Sequence, residues 1–405
     1  MGDSDEHLET HFESVEDATG DARGHARPPT LAGRVRRGPA AIGDWYRGLP
    51  RGARWAIVAL AIALFAALPV LMPLITEQDT YYNGLLLLMG IGALLALGLN
   101  VVVGFAGLLD LGYVAFFAVG AYTYAFLSGS AKYSVAIHNV DENAAKFLPR
   151  WRPTFWLIFF AAIIIALLTG VILGAPTLRL RGDYLAIVTL GFGEIVRVVA
   201  VNLDQQTGGP RGVQSLPHPQ VFGKDFGLDP QGYYWLILGI IVLWIVIIRR
   251  LNTSRVGRAW AAIREDELAA TAMGIPVVRM KLWAFAIGAS VACLGGVIFA
   301  TRFNYFDPGT FTLFNVTFGS VIILAMVVLG GMGGIAGPIL GTAIIIFLPE
   351  RFRSVGDARL MLFGLALVII MILRPQGLIP SKRRAAELHG DARDTSLFDV
   401  RQEAK

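Results

Sequence analysis

The chain has 405 residues, 55% hydrophobic and only 16% charged, where a soluble protein of this size carries about 25% charge. The formal net charge is +5, but the cations sit beside apolar runs, where they set membrane orientation rather than grip nucleic acid. The single cysteine, Cys293, lies in an apolar run and excludes an internal disulfide, a Cys-based zinc site and an iron–sulfur cluster.

Residues 1–54 are of another kind. Asp3, Asp5, Glu6, Glu9, Glu13, Glu16, Asp17 and Asp21 form an acidic stretch, and Arg27, Arg34, Arg36, Arg37, Arg47, Arg51 and Arg54 a basic one. Little here could build a core, so a disordered cytoplasmic extension is expected. No apolar stretch begins near Met1, so no cleaved signal peptide is expected. The acidic part reads as a solvated tail or a site for a partner.

Apolar runs then follow at the length that crosses a bilayer, roughly 20 residues each. About ten are found: near 55–75, 82–103, 107–127, 154–174, 184–202, 232–249, 282–301, 314–331, 335–349 and 360–374. Glycines and borderline polar residues in the third, fifth, eighth and ninth mark these as candidates for broken or re-entrant segments. The true count then falls between roughly eight and eleven. The basic segment up to Arg54 places the N-terminus inside. Counting onward places Arg179, Arg181, the cluster Arg249–Arg264 and the tail Lys382-Arg383-Arg384 inside, in agreement with their charge. Arg351, Arg353 and Arg359 fall outside, partly offset by Glu350 and Asp357. The two long outer loops, about 128–153 and 203–231, serve either as connections or as a docking surface.

The inner loop 252–281 is the most informative segment. Ser254 can cap a helix start, the Ala-rich run 258–272 favours helix, and Gly274 and Pro276 stop it. A helix of about four turns is expected there. Its physics fits equally a connector lying on the bilayer and a helix docked in a partner's groove.

Nothing in the chain reads as an enzyme. There is no phosphate-binding G-x-x-x-x-G-K-[ST] run, no H-E-x-x-H and no G-x-S-x-G elbow, and all six histidines lie outside the spans. No catalytic residue and no metal site are assigned.

Glu265, Ala269 and Gly274 resemble the EAA-type signature of ABC importer permeases. The wider run from Gly257-Arg258-Ala259-Trp260 through Arg264-Glu265-Asp266-Glu267, Met273-Gly274-Ile275 and Lys281 is similar to the LivM-type permeases of branched-chain amino acid importers. So are Gly98-Leu99-Asn100-Val101, Leu178 to Phe192, Val328 to Gly333, and Arg374-Pro375-Gln376-Gly377-Leu378. The family often has Asn after Thr-Gly-Gly-Pro, where this chain has Arg211.

The resemblance implies an all-α membrane protein: a polytopic helical bundle of about ten transmembrane helices with a cytoplasmic coupling helix. It divides into the extension 1–54, a permease domain 55–380 and a cytoplasmic tail 381–405. The implied partners are a second, LivH-type permease, two ABC ATPase subunits and an external substrate-binding protein, besides membrane lipid. No cofactor is expected in this chain, since the ATPases bind the ATP. Arg258, Arg264, Glu265, Asp266, Glu267, Ala269 and Gly274 become candidates for ATPase coupling. The implied localisation is the bacterial inner membrane, with both termini cytoplasmic. Urea and short-amide importers use similar permeases, so these substrates stay open beside leucine, isoleucine and valine.

For the path itself the candidates are Asn100, Gly104, Phe105, Gly107, Asp183 and Glu194. A charge at mid-membrane costs about 2.5–3.5 kcal/mol on insertion scales. Arg197, three residues past Glu194, can share its helix face and pair with it. The pair therefore reads either as a structural pair near the membrane edge or as part of a pathway. A titrating Glu194 would also serve a proton-coupled secondary transporter, which has no need of the inner-loop helix. Phe105, Phe116 and Phe117 could wall an apolar side chain. Glycine pairs four apart, Gly330 and Gly334, Gly333 and Gly337, Gly337 and Gly341, predict tight packing or a broken helix, and a weak likeness between 98–112 and 328–345 suggests an internal repeat.

Overall fold

The computed structural model describes residues 60, 63–71, 79–128, 155–177, 182–214, 216–221, 224–227, 230–351, 358–373 and 377–379. The N-terminal extension, most of the first expected span, nearly all of the loop 128–153 and the C-terminal tail lie outside the described residues, as do Arg179 and Arg181. The chain divides into two units at Ala63, and everything below concerns the second, Leu64–Lys405.

The second unit is helical, with strands only as two-residue ladders among the described residues. The main helices are α1 (Asp79–Asn100), α2 (Val114–Leu127), α3 (Phe155–Thr177), α4 (Asp183–Asn202), α5 (Pro230–Thr253), α6 (Arg255–Glu265), α7 (Glu267–Ala272), α8 (Val277–Phe303), α9 (Ser320–Gly330), α10 (Ala336–Arg351) and α11 (Ala358–Leu373), besides one turn at Asp204–Thr207. Among the described residues five are long and apolar enough to cross a membrane: α1 with its π-helical continuation Val101–Phe105, then α3, α4, α5 and α8.

Burial sorts these five. The apolar stretches of α1 and α8 are 78% and 83% buried, against 33%, 28% and 39% for α3, α4 and α5. Helices that are apolar all round either fill a core or face lipid. Here α1 and α8 fill the core, and the other three turn faces such as Phe160, Ile164, Ile187 and Leu243 outward. Small residues bring the central backbones together. A Cβ on Gly120 of α2 would lie 2.0 Å from the carbonyl of Cys293, and one on Gly296 of α8 would lie 2.0 Å from that of Phe117. Cys293 is buried in this seam, its Sγ directed at the carbonyl of Ala162.

Two expected spans start late. The third begins at Val114 rather than at 107. Gly107 takes a positive φ of 72°, and Asp110 Oδ1 accepts from the backbone N–H of Gly112 at 2.9 Å, holding 106–113 out of helix. Asp110 is buried within the protein. The eighth begins at Ser320. Upstream, Asp307 forms a capping box with Thr310, and Asn315 Oδ1 accepts from the N–H groups of Thr317 and Phe318. At about 21 and 16 Å, α2 and α9 are too short to cross a core of about 30 Å alone. The fifth and ninth expected spans are not broken: α4 and α10 run continuously, and Gly193 serves close packing against Gly112.

A pattern repeats. Each of α1 and α8 is followed by a connecting stretch without α-helix and then a short α-helix, and the two short helices meet at their first turns, where Val114 N–H donates to Ser320 Oγ at 3.0 Å. The stretches 98–112 and 328–345 are spatial neighbours, joined through Asn100. Around the junction Phe117 packs edge to face on Phe311 and Phe318, as Phe299 does on Phe318. Phe116 and Phe117 are thus closed core rather than an open wall.

Beyond α4, the Gly-rich stretch 207–212 folds onto the chain after α8. There β1 (Val213–Gln214) pairs antiparallel with β4 (Tyr305–Phe306), while β2 (Gln220–Val221) pairs with β3 (Lys224–Asp225). Since β4 follows α8 and α6–α7 precede it, these two features lie at opposite ends of the molecule.

Candidate functional site: the α6–α7 loop and the seam beneath it

The inner loop folds as two helices rather than the single helix expected over 258–272. Ser254 caps α6, its Oγ accepting from Gly257 N–H. Asp266 then takes an extended conformation and caps α7 instead of continuing α6, its Oδ1 accepting from Leu268 N–H at 2.8 Å and Ala269 N–H at 3.0 Å. An aspartate that can satisfy two orphan amides competes with the helix, and it outweighs the alanine propensity around it. Gly274, at φ 80°, ends α7. Ile275 N–H bonds back to Ala270 and Gly274 N–H to Thr271, the double closure of a Schellman motif. Ile275 then packs on Ile263, Ala270 and Val277.

The loop is anchored on its inner side. Trp260 is buried and donates Nε1–H to the carbonyl of Met280 at 2.7 Å. Lys281, its side chain 4% exposed, donates to Glu267 Oε2 at 2.7 Å, and Glu267 is 31% exposed. Arg264 reaches furthest, donating Nη1–H to the carbonyl of Gly104 at 2.7 Å, within the π-helical end of α1. Its stem lies where a Cβ on Gly107 would come within 2.8 Å of Arg264 Cγ.

Gly104 leads on to Asn100. This fully buried side chain accepts on Oδ1 from Gly333 N–H at 2.9 Å and donates Nδ2–H to the carbonyl of Gly334 at 2.7 Å. Gly333 and Gly334 lie in the reversal between α9 and α10, which is closed further by Leu378 and Ile379 bonding to the carbonyls of Leu329 and Gly330. A Cβ on Gly104 would stand 2.1 Å from Asn100 Oδ1 and 2.6 Å from Gly333 N. Arg264, Gly104, Asn100 and Gly333 therefore form one continuous polar seam from the α6–α7 loop to the α9–α10 reversal. π-Helical turns inside α-helices concentrate at functional sites, and this one lies at the seam's centre.

The coupling candidates thus divide. Arg258, Glu265, Asp266, Ala269 and Gly274 are exposed on the loop's outer surface, Asp266 there as the cap of α7, while Arg264 and Glu267 turn to partners on α1 and α8. Two residues outside the coupling candidates share that surface: Leu268 at 66% and Met273 at 83% exposure. Two large apolar side chains standing out from a polar loop were the available signal. Of the path candidates, Asn100, Gly104 and Gly107 come together, and Phe105 is half-buried beside them. Glu194 lies apart on α4, paired with Arg197. Asp183 opens α4, and its side chain lies outside the described residues.

The profile of the family described as branched-chain amino acid transport system, permease component, matches residues 81–373. The chain belongs to this family. It is 40% identical over 321 residues to the high-affinity branched-chain amino acid transport system permease protein LivM of Escherichia coli K12, covering 74% of this chain and 70% of that protein. It is 39% identical over 317 residues to LivM of Salmonella typhimurium, covering 73% and 69%. A more distant relative is the permease protein LivH of E. coli K12, at 24% identity over 304 residues, 71% of this chain and 90% of LivH. No solved structure matches the chain. As a member of this permease family with several membrane-length helices, the chain is a multi-pass membrane protein and not a catalytic enzyme.

Proposed function

We propose that the chain is the LivM-type permease subunit of a bacterial ABC importer that moves leucine, isoleucine and valine through the inner membrane. The observation that carries this reading is the α6–α7 loop: an outer surface of Glu265, Leu268, Ala269, Met273 and Gly274 over an inner anchor, Arg264, tied to the end of α1. A loop that merely joined α5 to α8 would need neither. In this reading α6–α7 faces the cytoplasm and docks on an ATPase subunit, and both termini are cytoplasmic. Two ATPases, a LivH-type permease and an external binding protein complete the machine. In this reading the ATPase subunits bind the nucleotide and this chain supplies no catalytic residue. Closure of the ATPase dimer moves α6–α7, and the seam through Gly104 and Asn100 carries that displacement to the α9–α10 reversal.

The test is uptake of labelled leucine in cells lacking the gene, with the gene restored, and with an uncoupler present. Uptake that returns with the gene, survives the uncoupler and fails with Glu265→Ala supports an ATP-coupled permease. Unchanged leucine uptake directs the substrate to urea or short amides. Uptake abolished by the uncoupler alone points to a proton-coupled secondary transporter.

A further inference from the structure

The Glu194–Arg197 pair lies where charge is expensive. Glu194 is eleven residues into α4, about 16 Å along the helix from Asp183. Its neighbours give the same depth. Phe192 packs on Phe116, Gly193 on Gly112, and the adjoining Tyr113 bonds to Gly288, itself about 16 Å into α8. The pair is thus level with the starts of α2 and α9, at mid-bundle. Yet it is open: the side chains of Glu194 and Arg197 are 50% and 31% exposed. Charges exposed to lipid at that depth are unfavourable, so intramembrane ionisable groups face protein or a water-filled cavity.

The pair's geometry is also unfinished. Arg197 donates Nε–H at 2.8 Å and Nη2–H to one oxygen, Oε1, of Glu194. Among the described residues nothing bonds to Oε2 of Glu194 or Nη1 of Arg197. Beside the pair Gly191 leaves open space, and Ile187 and Val198 stand exposed on the same face. One helix face thus offers an acceptor, a donor fork, a gap and an aliphatic wall.

We infer that this α4 face lines the substrate path and that the pair receives the zwitterionic head of an α-amino acid: its ammonium on Glu194, its carboxylate on Arg197. The aliphatic side chain lies over Gly191 against Ile187 and Val198. The inference rests on the proposed function and adds the site to it.

The experiment uses the complete transporter in proteoliposomes. A thiol placed by Gly191→Cys is probed with a water-soluble methanethiosulfonate reagent, which modifies ionised thiols in water and not those in lipid. Native Cys293 is buried and serves as the unreactive background. Leucine uptake and ATP hydrolysis are measured in parallel for Glu194→Gln, Arg197→Gln and the charge-exchanged Glu194→Arg/Arg197→Glu variant. The expected result is labelling at 191, slowed by transported leucine, and a loss of uptake of about tenfold or more in both single variants. Because the exchanged variant keeps the net charge and the pairing, it is read where a single variant fails to insert, and it too is expected to lose uptake. An unlabelled thiol, or uptake at the wild-type rate in these variants, overturns the inference. A wild-type transporter that takes up no leucine overturns the proposed function itself.

Discussion

Arg264 Nη1 and the carbonyl oxygen of Gly104 lie 2.7 Å apart, joining residues 160 positions distant in the chain. The carbonyl belongs to the π-helical end of α1, where the wider turn loosens the usual carbonyl pattern. Arg264→Ala removes a charge-assisted hydrogen bond worth about 1.5–3 kcal/mol and leaves the loop's outer surface untouched. The expected outcome is a transporter that assembles and hydrolyses ATP while leucine moved per ATP falls about tenfold. Parallel uptake and phosphate-release assays on proteoliposomes check it. Arg264→Lys should recover little, because a shorter point charge cannot reproduce the reach of the guanidinium.

Gly104→Ala should be more damaging than its single methyl suggests. The new Cβ would stand 2.1 Å from Asn100 Oδ1 and 2.6 Å from the backbone of Gly333, so either the seam opens or α1 shifts. Overpacking of this kind costs about 1–3 kcal/mol. A lowered thermal midpoint in detergent is expected for Gly104→Ala. Gly239→Ala on α5, where a Cβ meets nothing within 4 Å, should leave it unchanged or raised.

Asn100→Leu tests the seam's far end. It removes the partner of the part-buried Gly333 N–H and Gly334 carbonyl, at about 0.5–1.5 kcal/mol for each hydrogen bond lost. Faster hydrogen exchange confined to 331–337 is the expected signature, since α1 itself stays packed. Protection equal to wild type there would mean that the reversal is held by Leu378 and Ile379 alone.

How much of this was legible beforehand depends on range in sequence. Local chemistry read well: Ser254 as a cap, Gly274 as a stop, Cys293 as packing, and most of the apolar runs as helices. Asp266 was misread because alanine propensity is a sum over a window, whereas a cap is one side chain finding two amides. The late starts of α2 and α9 turned on Asp110 and Asn315, two short polar side chains that bond to their own backbone inside apolar stretches. Composition averaged over a span hides such residues. The seam could not have been read at all as a seam. Asn100, Gly104, Gly107 and Arg264 stood out separately, but nothing local says that Arg264 turns inward or that Asn100 meets Gly333.

The ion pair of Lys281 and Glu267 makes an asymmetric prediction. Glu267→Gln leaves Lys281, with only 4% of its side chain exposed, as a buried charge facing a neutral amide instead of its countercharge, a change that costs up to about 3–5 kcal/mol. Lys281→Met leaves Glu267 charged, but at 31% exposure it can turn to water, and the methionine fills the vacated apolar volume. Glu267→Gln should therefore destabilise more than Lys281→Met, and adding Lys281→Met to Glu267→Gln should restore most of the loss. Thermal midpoints of the three variants in detergent give the comparison. Equal losses in the two single variants would mean that Lys281 reaches water in the folded protein and that α7 is held to α8 by the Ile263–Ala270–Val277 contact rather than by charge.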